Sequence, residues 1–280
     1  MALSLSHSQQ RQAAAHSIRR PVATLAPYTE HLLRRLSRGA LIWGAAIIAY
    51  TASLIAAFPS FRGQLDVSTY PESLREAFNI ESFDTVQPFL SVEVYSLMPL
   101  VLVFFPMTIF AAAIAGAEER GSLDVLLGNP LPRRNLVLAN AIAVALWLAI
   151  MMVVLGGVSW IVGTLVDADL PVGDAFAPAI NLWPISMAFG GLALFGSALF
   201  RQRAVALGLP VLVLFAMYFI DLAGKLIDGA EDIRYASAFK YYGDAAQDGI
   251  WWLGAAILTA VALIFIAAAV IAFDRRDIYS

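Results

Sequence analysis

Charged residues fall along the chain in clusters, and the intervals between the clusters are long and apolar. Stretches free of Asp, Glu, Lys and Arg run over residues 39–61, 94–117, 135–166, 175–200, 204–220 and 249–273. About 20 helical residues, each rising ~1.5 Å, cross a hydrocarbon core of ~30 Å. Five of the intervals reach that length, and 204–220 reaches it by continuing past Asp221 to Gly224. Runs this long without turn residues are helical, because lone strands leave backbone groups unpaired in lipid. The pattern predicts an all-α polytopic membrane protein with six transmembrane helices, at about 39–59, 94–117, 136–164, 178–200, 204–224 and 250–273.

Ahead of the first helix the pattern changes. Residues 1–26 are polar and Arg-rich with no apolar core, which predicts disorder and argues against a cleavable signal peptide. Over about 29–38, Leu32, Leu33 and Leu36 share one helical face, with Arg34, Arg35 and Arg38 around it. This is the signature of an amphipathic helix lying along the interface. It reads equally well as an extension of the first span whose arginines snorkel to water. Two loops on the opposite side have substance. In "TYPESLREAFN" Thr69 can cap a helix, with Pro71 and Glu72 in its first turn. Residues 225–248 mix aromatic and charged residues and predict short helices at the outer interface. Residues 274–280 form a tail on the side of the N-terminus.

Composition agrees with the membrane reading: 60% of residues are hydrophobic, 14% are charged, and the mean hydropathy is +0.74. The placement of charge adds an orientation. With six helices both termini share one side, and that side carries 13 of the 18 Lys and Arg but 6 of the 21 carboxylates. The positive-inside rule places it in the cytoplasm.

Chemistry is narrowed mostly by exclusion. The chain has no cysteine, hence no disulfide or thiolate site. It has no phosphate loop; its Gly-Lys pair, Gly224-Lys225, lies on the outer side without the rest of that motif. His7, His16 and His31 all precede the first span, so no histidine relay, metal site or Ser–His pair is expected in the membrane. Without a histidine base, Ser197 in "FGSALF" reads as one of the small residues that let helices approach. Ala193-xxx-Ser197, Ala40-xxx-Gly44 and Ala112-xxx-Gly116 follow that pattern. Glu93 and Asp221 sit near the outer ends of spans; they keep an ion-coupled secondary carrier or channel as the alternative reading.

One stretch is left, "GAEERGSLDVLLGNPLPRRN" from Gly116 to Asn135, between the second and third spans. Ser122 can cap a short helix with Asp124 in its first turn. Leu123, Val125, Leu126 and Leu127 give it an apolar surface, Gly128-Asn129-Pro130 ends it, and Pro132 restarts the chain. A turn with its leucines in the lipid interface explains the apolar residues alone. A docking element for a cytoplasmic protein explains both the leucines and the charges.

The segment "AEERGSLDVLLGNPLPRRNLVLAN" resembles the characteristic stretch of ABC-2 type permeases, the membrane subunits of ATP-binding-cassette exporters. The shared pattern is Glu-Glu-x-Gly-[Ser/Thr]-Leu-x-x-Leu-Leu followed by Pro and Arg-Arg, with Pro132 where a small hydroxyl residue is common. The six-helix layout, the amphipathic entry helix and "AFKYYGDA" agree with the family across the rest of the chain, and "YPESLREAFN" extends the likeness to permeases of the antibiotic or polyketide exporter type. It implies a non-catalytic subunit that binds no cofactor or metal and forms an export path for a hydrophobic or amphipathic substrate. ATP and magnesium would be bound by a separate ATPase subunit in two copies. A second permease copy, as a homodimer or a related chain, would complete the path. The resemblance implies a coupling helix from Glu118 to Leu127, with Leu123, Leu126 and Leu127 buried in the ATPase. Glu118, Glu119, Arg120, Arg133 and Arg134 would hold the contact by charge pairing, and Gly121, Asp124 and Pro130 belong to the same hairpin. By the same likeness the path follows the second and fifth helices, which nominates Met98, Phe104, Phe105, Phe110, Phe215, Met217 and Tyr218.

Overall fold

The computed structural model describes residues 25–61, 85–121, 132–227 and 229–276. Among them every regular element is helical, and six helices are long and apolar enough to cross a membrane. The helices are α1 (Leu25–Phe61), α2 (Val86–Leu90), α3 (Met98–Leu102), α4 (Phe104–Ala113), α5 (Ala115–Glu119), α6 (Arg133–Leu165), α7 (Val172–Leu199), α8 (Arg203–Leu226), α9 (Ala238–Tyr242) and α10 (Trp252–Asp274). The first span is α1, the second runs through α2, α3 and α4, and the third to sixth are α6, α7, α8 and α10.

The amphipathic stretch is present as the leading turns of α1, which is one unbroken helix of 37 residues. At ~1.5 Å per residue this is about 55 Å, well beyond the hydrocarbon thickness. The leucine face meets protein: Leu32 is buried and, with Leu25, Tyr28 and Leu36, packs on Ala139 and Ala143 of α6. Alanines on α6 let the leucines approach, and the Trp147 indole donates to the Leu33 carbonyl oxygen at 3.0 Å. One step along, Ala40 is buried and a Cβ on Gly44 would meet Met151 of α6 at 3.4 Å. The Ala40-xxx-Gly44 pattern is thus where α1 comes close to α6.

The second span begins at Val86 rather than near 94, because Glu93 lies on an exposed face and need not end a helix. It is segmented. A π-helical turn covers Ser91–Tyr95, and Pro99 opens a new first turn at α3, where its missing N–H is harmless. Pro106 cannot donate to the Leu102 carbonyl oxygen, and the helix is interrupted nearby at Val103.

α7 is the hub. Of its most apolar stretch 78% is buried, against 22% for α8 and α10. Glycines open its sides to three neighbours. A Cβ on Gly190 would meet Pro106 at 2.8 Å, one on Gly191 the Ala262 carbonyl oxygen at 3.0 Å, and one on Gly196 the Ala206 carbonyl oxygen at 3.3 Å. These contacts set α4, α10 and α8 directly against the α7 backbone. The Trp183 indole donates to the Ala145 carbonyl oxygen at 3.0 Å, which adds α6.

α8 passes through Asp221 as the sequence requires. That carboxylate is 5% exposed and is neutralised by Arg234 at 2.9 Å and Lys225 at 3.3 Å. The loop after α8 forms the expected short helices, a 3₁₀ turn at Glu231–Ala236 and α9. The Thr69, Pro71 and Glu72 expectation lies outside the described residues.

Candidate functional site

The junction of the second and third spans gathers charge from five helix ends. It starts from a break in the second span at Ile114, where φ is −115° and ψ is −65°. The Ser197 hydroxyl of α7 enters the ladder there. It accepts from the backbone N–H groups of Ala115 at 2.9 Å and Ile114 at 3.2 Å, and donates to the Ala111 carbonyl oxygen at 3.1 Å. A side chain inserted between N–H and C=O groups bends a helix. Here it also fills the whole hydrogen-bonding capacity of the hydroxyl.

Beyond the bend, α5 presents the acidic pair. Glu118 receives Arg276 at 2.6 Å and Arg201 at 3.5 Å. Arg276 also donates to the Ala198 carbonyl oxygen at 3.2 Å. Its own carbonyl oxygen accepts from Arg133 at 2.6 Å, and Arg133 reaches the Phe273 carbonyl oxygen at 3.3 Å with its guanidinium over the Phe273 ring. The Glu119 carboxylate accepts from the Arg203 backbone N–H at 2.7 Å, where a negative charge suits the start of α8. Glu118, Glu119 and Arg133 therefore tie the end of the second span to the start of the third, the end of the fourth, the start of the fifth and the end of the sixth.

Gly121 ends this segment by geometry. Its φ is +62° and its N–H donates to the Glu118 carbonyl oxygen at 2.8 Å, the left-handed closure that favours glycine after a helix. Arg120 turns toward α1 instead of joining the Glu118 cluster, and Arg134 is exposed. Leu123, Asp124, Leu126, Leu127 and Pro130 lie outside the described residues, as does the Ser122 cap. Arg201, Arg276 and Ser197 were not singled out for this cluster by the sequence. The available signal was the scarcity of carboxylates on this face, which makes Glu118 and Glu119 sought-after partners for its arginines.

The seven residues nominated for a path do not line one cavity. Met98, Phe105 and Phe110 are buried in the bundle core, with Phe110 against Gly190. Phe104 is half-buried on α4, and Phe215 on α8 is 40% exposed. Met217 lines a small apolar pocket with Phe189 and Tyr241. Tyr218 packs edge-on against Phe239 at 5.5 Å and faces a polar cavity of about 400 Å³ at the acidic end of the bundle. Ser91 of the π-helical turn donates to Asp244 at the rim of that cavity. The Tyr242 hydroxyl donates to the Tyr95 carbonyl oxygen at 3.2 Å. Burial, and then the neighbouring Tyr95 and Asp244, push the Tyr242 phenol well above its ordinary range, so it stays a donor.

Two comparisons with known proteins bear on this arrangement. The sequence profile of the family described as multidrug efflux system permease Rv1217c, C-terminal domain, matches residues 31–274. No individual curated protein matches the chain.

Proposed function

The chain belongs to the family of the multidrug efflux system permease Rv1217c, and on that premise we propose that it is the membrane subunit of an ATP-driven exporter. It is a multi-pass protein of the cell membrane. In this reading its arginine-rich face is cytoplasmic, and the hairpin between Glu118 and Arg134 docks a separate ATPase subunit that holds ATP and magnesium. Two permease copies enclose the path, and the substrate is hydrophobic or amphipathic. Phe215 offers open aromatic surface beside the half-buried Phe104 of a neighbouring helix, which suits contact with such a substrate between copies.

The observation that carries this reading is the anchoring of both legs of the hairpin. Glu118 on one leg and Arg133 on the other are joined through Arg276, so a load on the hairpin reaches the ends of several helices by short polar contacts. An isolated interfacial turn has no need of such bracing. An ion-coupled carrier would have to work through Glu93 or Asp221. Asp221 is already neutralised by Arg234 and Lys225, which favours the exporter.

The test is a mild-detergent purification of the tagged chain from its native membrane. An ATPase should accompany it in stoichiometric amount and be lost when Leu126 and Leu127 are both changed to Glu. An intact, folded chain that brings no ATPase overturns the proposal.

A further inference from the structure

Beside the Glu118 cluster, on the same face, a groove of about 290 Å³ opens between the leading turns of α1, the α4–α5 segment and the start of α8. One side is apolar, with Leu32, Leu36 and Ile109. The other side carries Arg35, Arg120 and Arg203, and among the described residues no carboxylate lines the groove. None of these three guanidinium groups has an ion-pair partner among the described residues. The nearby carboxylates are engaged elsewhere, Glu118 with Arg201 and Arg276, and Glu119 with the backbone at the start of α8.

Two of the arginines converge. A Cβ built on Gly116 would meet Arg120 Nη1 and Arg203 Cδ at 3.3 Å each, so both side chains pass close to the same spot beside Gly116. Like charges brought together repel, and an anion placed between their guanidinium groups removes the repulsion. The guanidinium fork matches phosphate oxygens in pairs. A small soluble anion has no use for the apolar side, and a wholly apolar ligand has no use for the arginines. The two surfaces together fit an amphiphile with an anionic head.

We propose that this groove binds the phosphate head group of an anionic phospholipid, with its acyl chains running past Leu36 and Ile109 into the bilayer. The inference rests on the membrane location of the chain and is independent of ATP coupling. Gly116 of the Ala112-xxx-Gly116 pattern then makes room for two side chains, Arg120 of its own segment and Arg203 of α8, rather than for a helix backbone.

The test is thermal unfolding of the full chain purified in detergent, with phosphatidylglycerol, phosphatidylcholine or inorganic phosphate added. Wild type is compared with the double variant Arg120→Gln/Arg203→Gln and with Arg275→Gln, an exposed arginine outside the groove. Phosphatidylglycerol should raise the midpoint of wild type and of Arg275→Gln, and phosphatidylcholine should not. The double variant should need at least about tenfold more phosphatidylglycerol for the same shift. Equal protection by inorganic phosphate would make this a free-anion site and overturn the lipid assignment. Equal protection by phosphatidylcholine, or a phosphatidylglycerol response unchanged in the double variant, overturns it as well. So does a double variant that releases a co-purifying ATPase while keeping its lipid response, because the groove is then a protein contact. If the double variant does not fold, Arg120→Lys keeps the charge and loses the fork. A weakened lipid response in it supports the proposal, and an unchanged one refutes it.

Discussion

Ser197 shows how much a single buried hydroxyl can do. It stands between the Ala111 carbonyl oxygen and the Ala115 N–H, two groups that would otherwise bond each other in a straight helix. Changing it to Ala leaves both buried groups unsatisfied, unless the second span straightens and pulls Glu118 out of reach of Arg276. Either result should destabilise the purified chain by about 1–3 kcal/mol, read as a lower unfolding midpoint in detergent. A second residue-scale prediction concerns Gly191, where a methyl would press on the Ala262 carbonyl oxygen at 3.0 Å. Gly191→Ala should cost about 1–3 kcal/mol in the same measurement, because backbone cannot step aside as a side-chain tip can. The sequence made the small size at "FGSALF" legible as a sign of close helices, and Gly196 against Ala206 agrees. The hydrogen bonds of Ser197 were not legible, since its partners lie more than 80 residues away in the chain.

At the scale of elements, the Glu118–Arg276 contact joins the second span to the end of the sixth. Glu118 keeps 27% of its side-chain surface and Arg276 13%, so the pair is neither fully screened by water nor fully desolvated. A double-mutant cycle with Glu118→Gln and Arg276→Gln should give a coupling of about 1–2 kcal/mol in thermal unfolding. A coupling near zero would mean that the pair contributes nothing to joining the helices. Apolar runs between charges gave the spans, including the passage of α8 through Asp221. The lower end of the second span escaped that reading because a charged residue was taken as a boundary, whereas Glu93 sits on an exposed face of a continuing helix. Its internal interruptions were encoded locally by Pro99 and Pro106, while the one at Ile114 depends on α7. The leading turns of α1 had two readings from the sequence alone. Packing on the alanines of α6 decided for a continuous helix.

For the whole molecule, the uneven arginine distribution yields the proposed orientation, and the chain is well suited to testing it. It contains no cysteine, so any introduced thiol is the only one. Tyr235→Cys, in the exposed 3₁₀ turn, should react with an impermeant maleimide added to intact cells. Ser37→Cys, near the arginines of α1, should react only after the membrane is opened. The opposite pattern would invert the orientation and with it the placement of the hairpin in the cytoplasm. Six spans were legible because they follow from local composition. The groove of Arg35, Arg120 and Arg203 was not, because its arginines come from three separate segments of the chain.

The segmented second span has a mechanical consequence. A rod fixed at both ends can only tilt, so any push at one end displaces the other. This span is instead a series of short links, held at one end by the Ser91–Asp244 contact and at the other by Ser197 and Glu118. Its breaks, at the π-helical turn, at Val103 and at Ile114, are the places where rotation between those clamps would be taken up. A displacement at one clamp is therefore expected to be spent in bending these joints instead of arriving whole at the other, as slack in a chain swallows a tug.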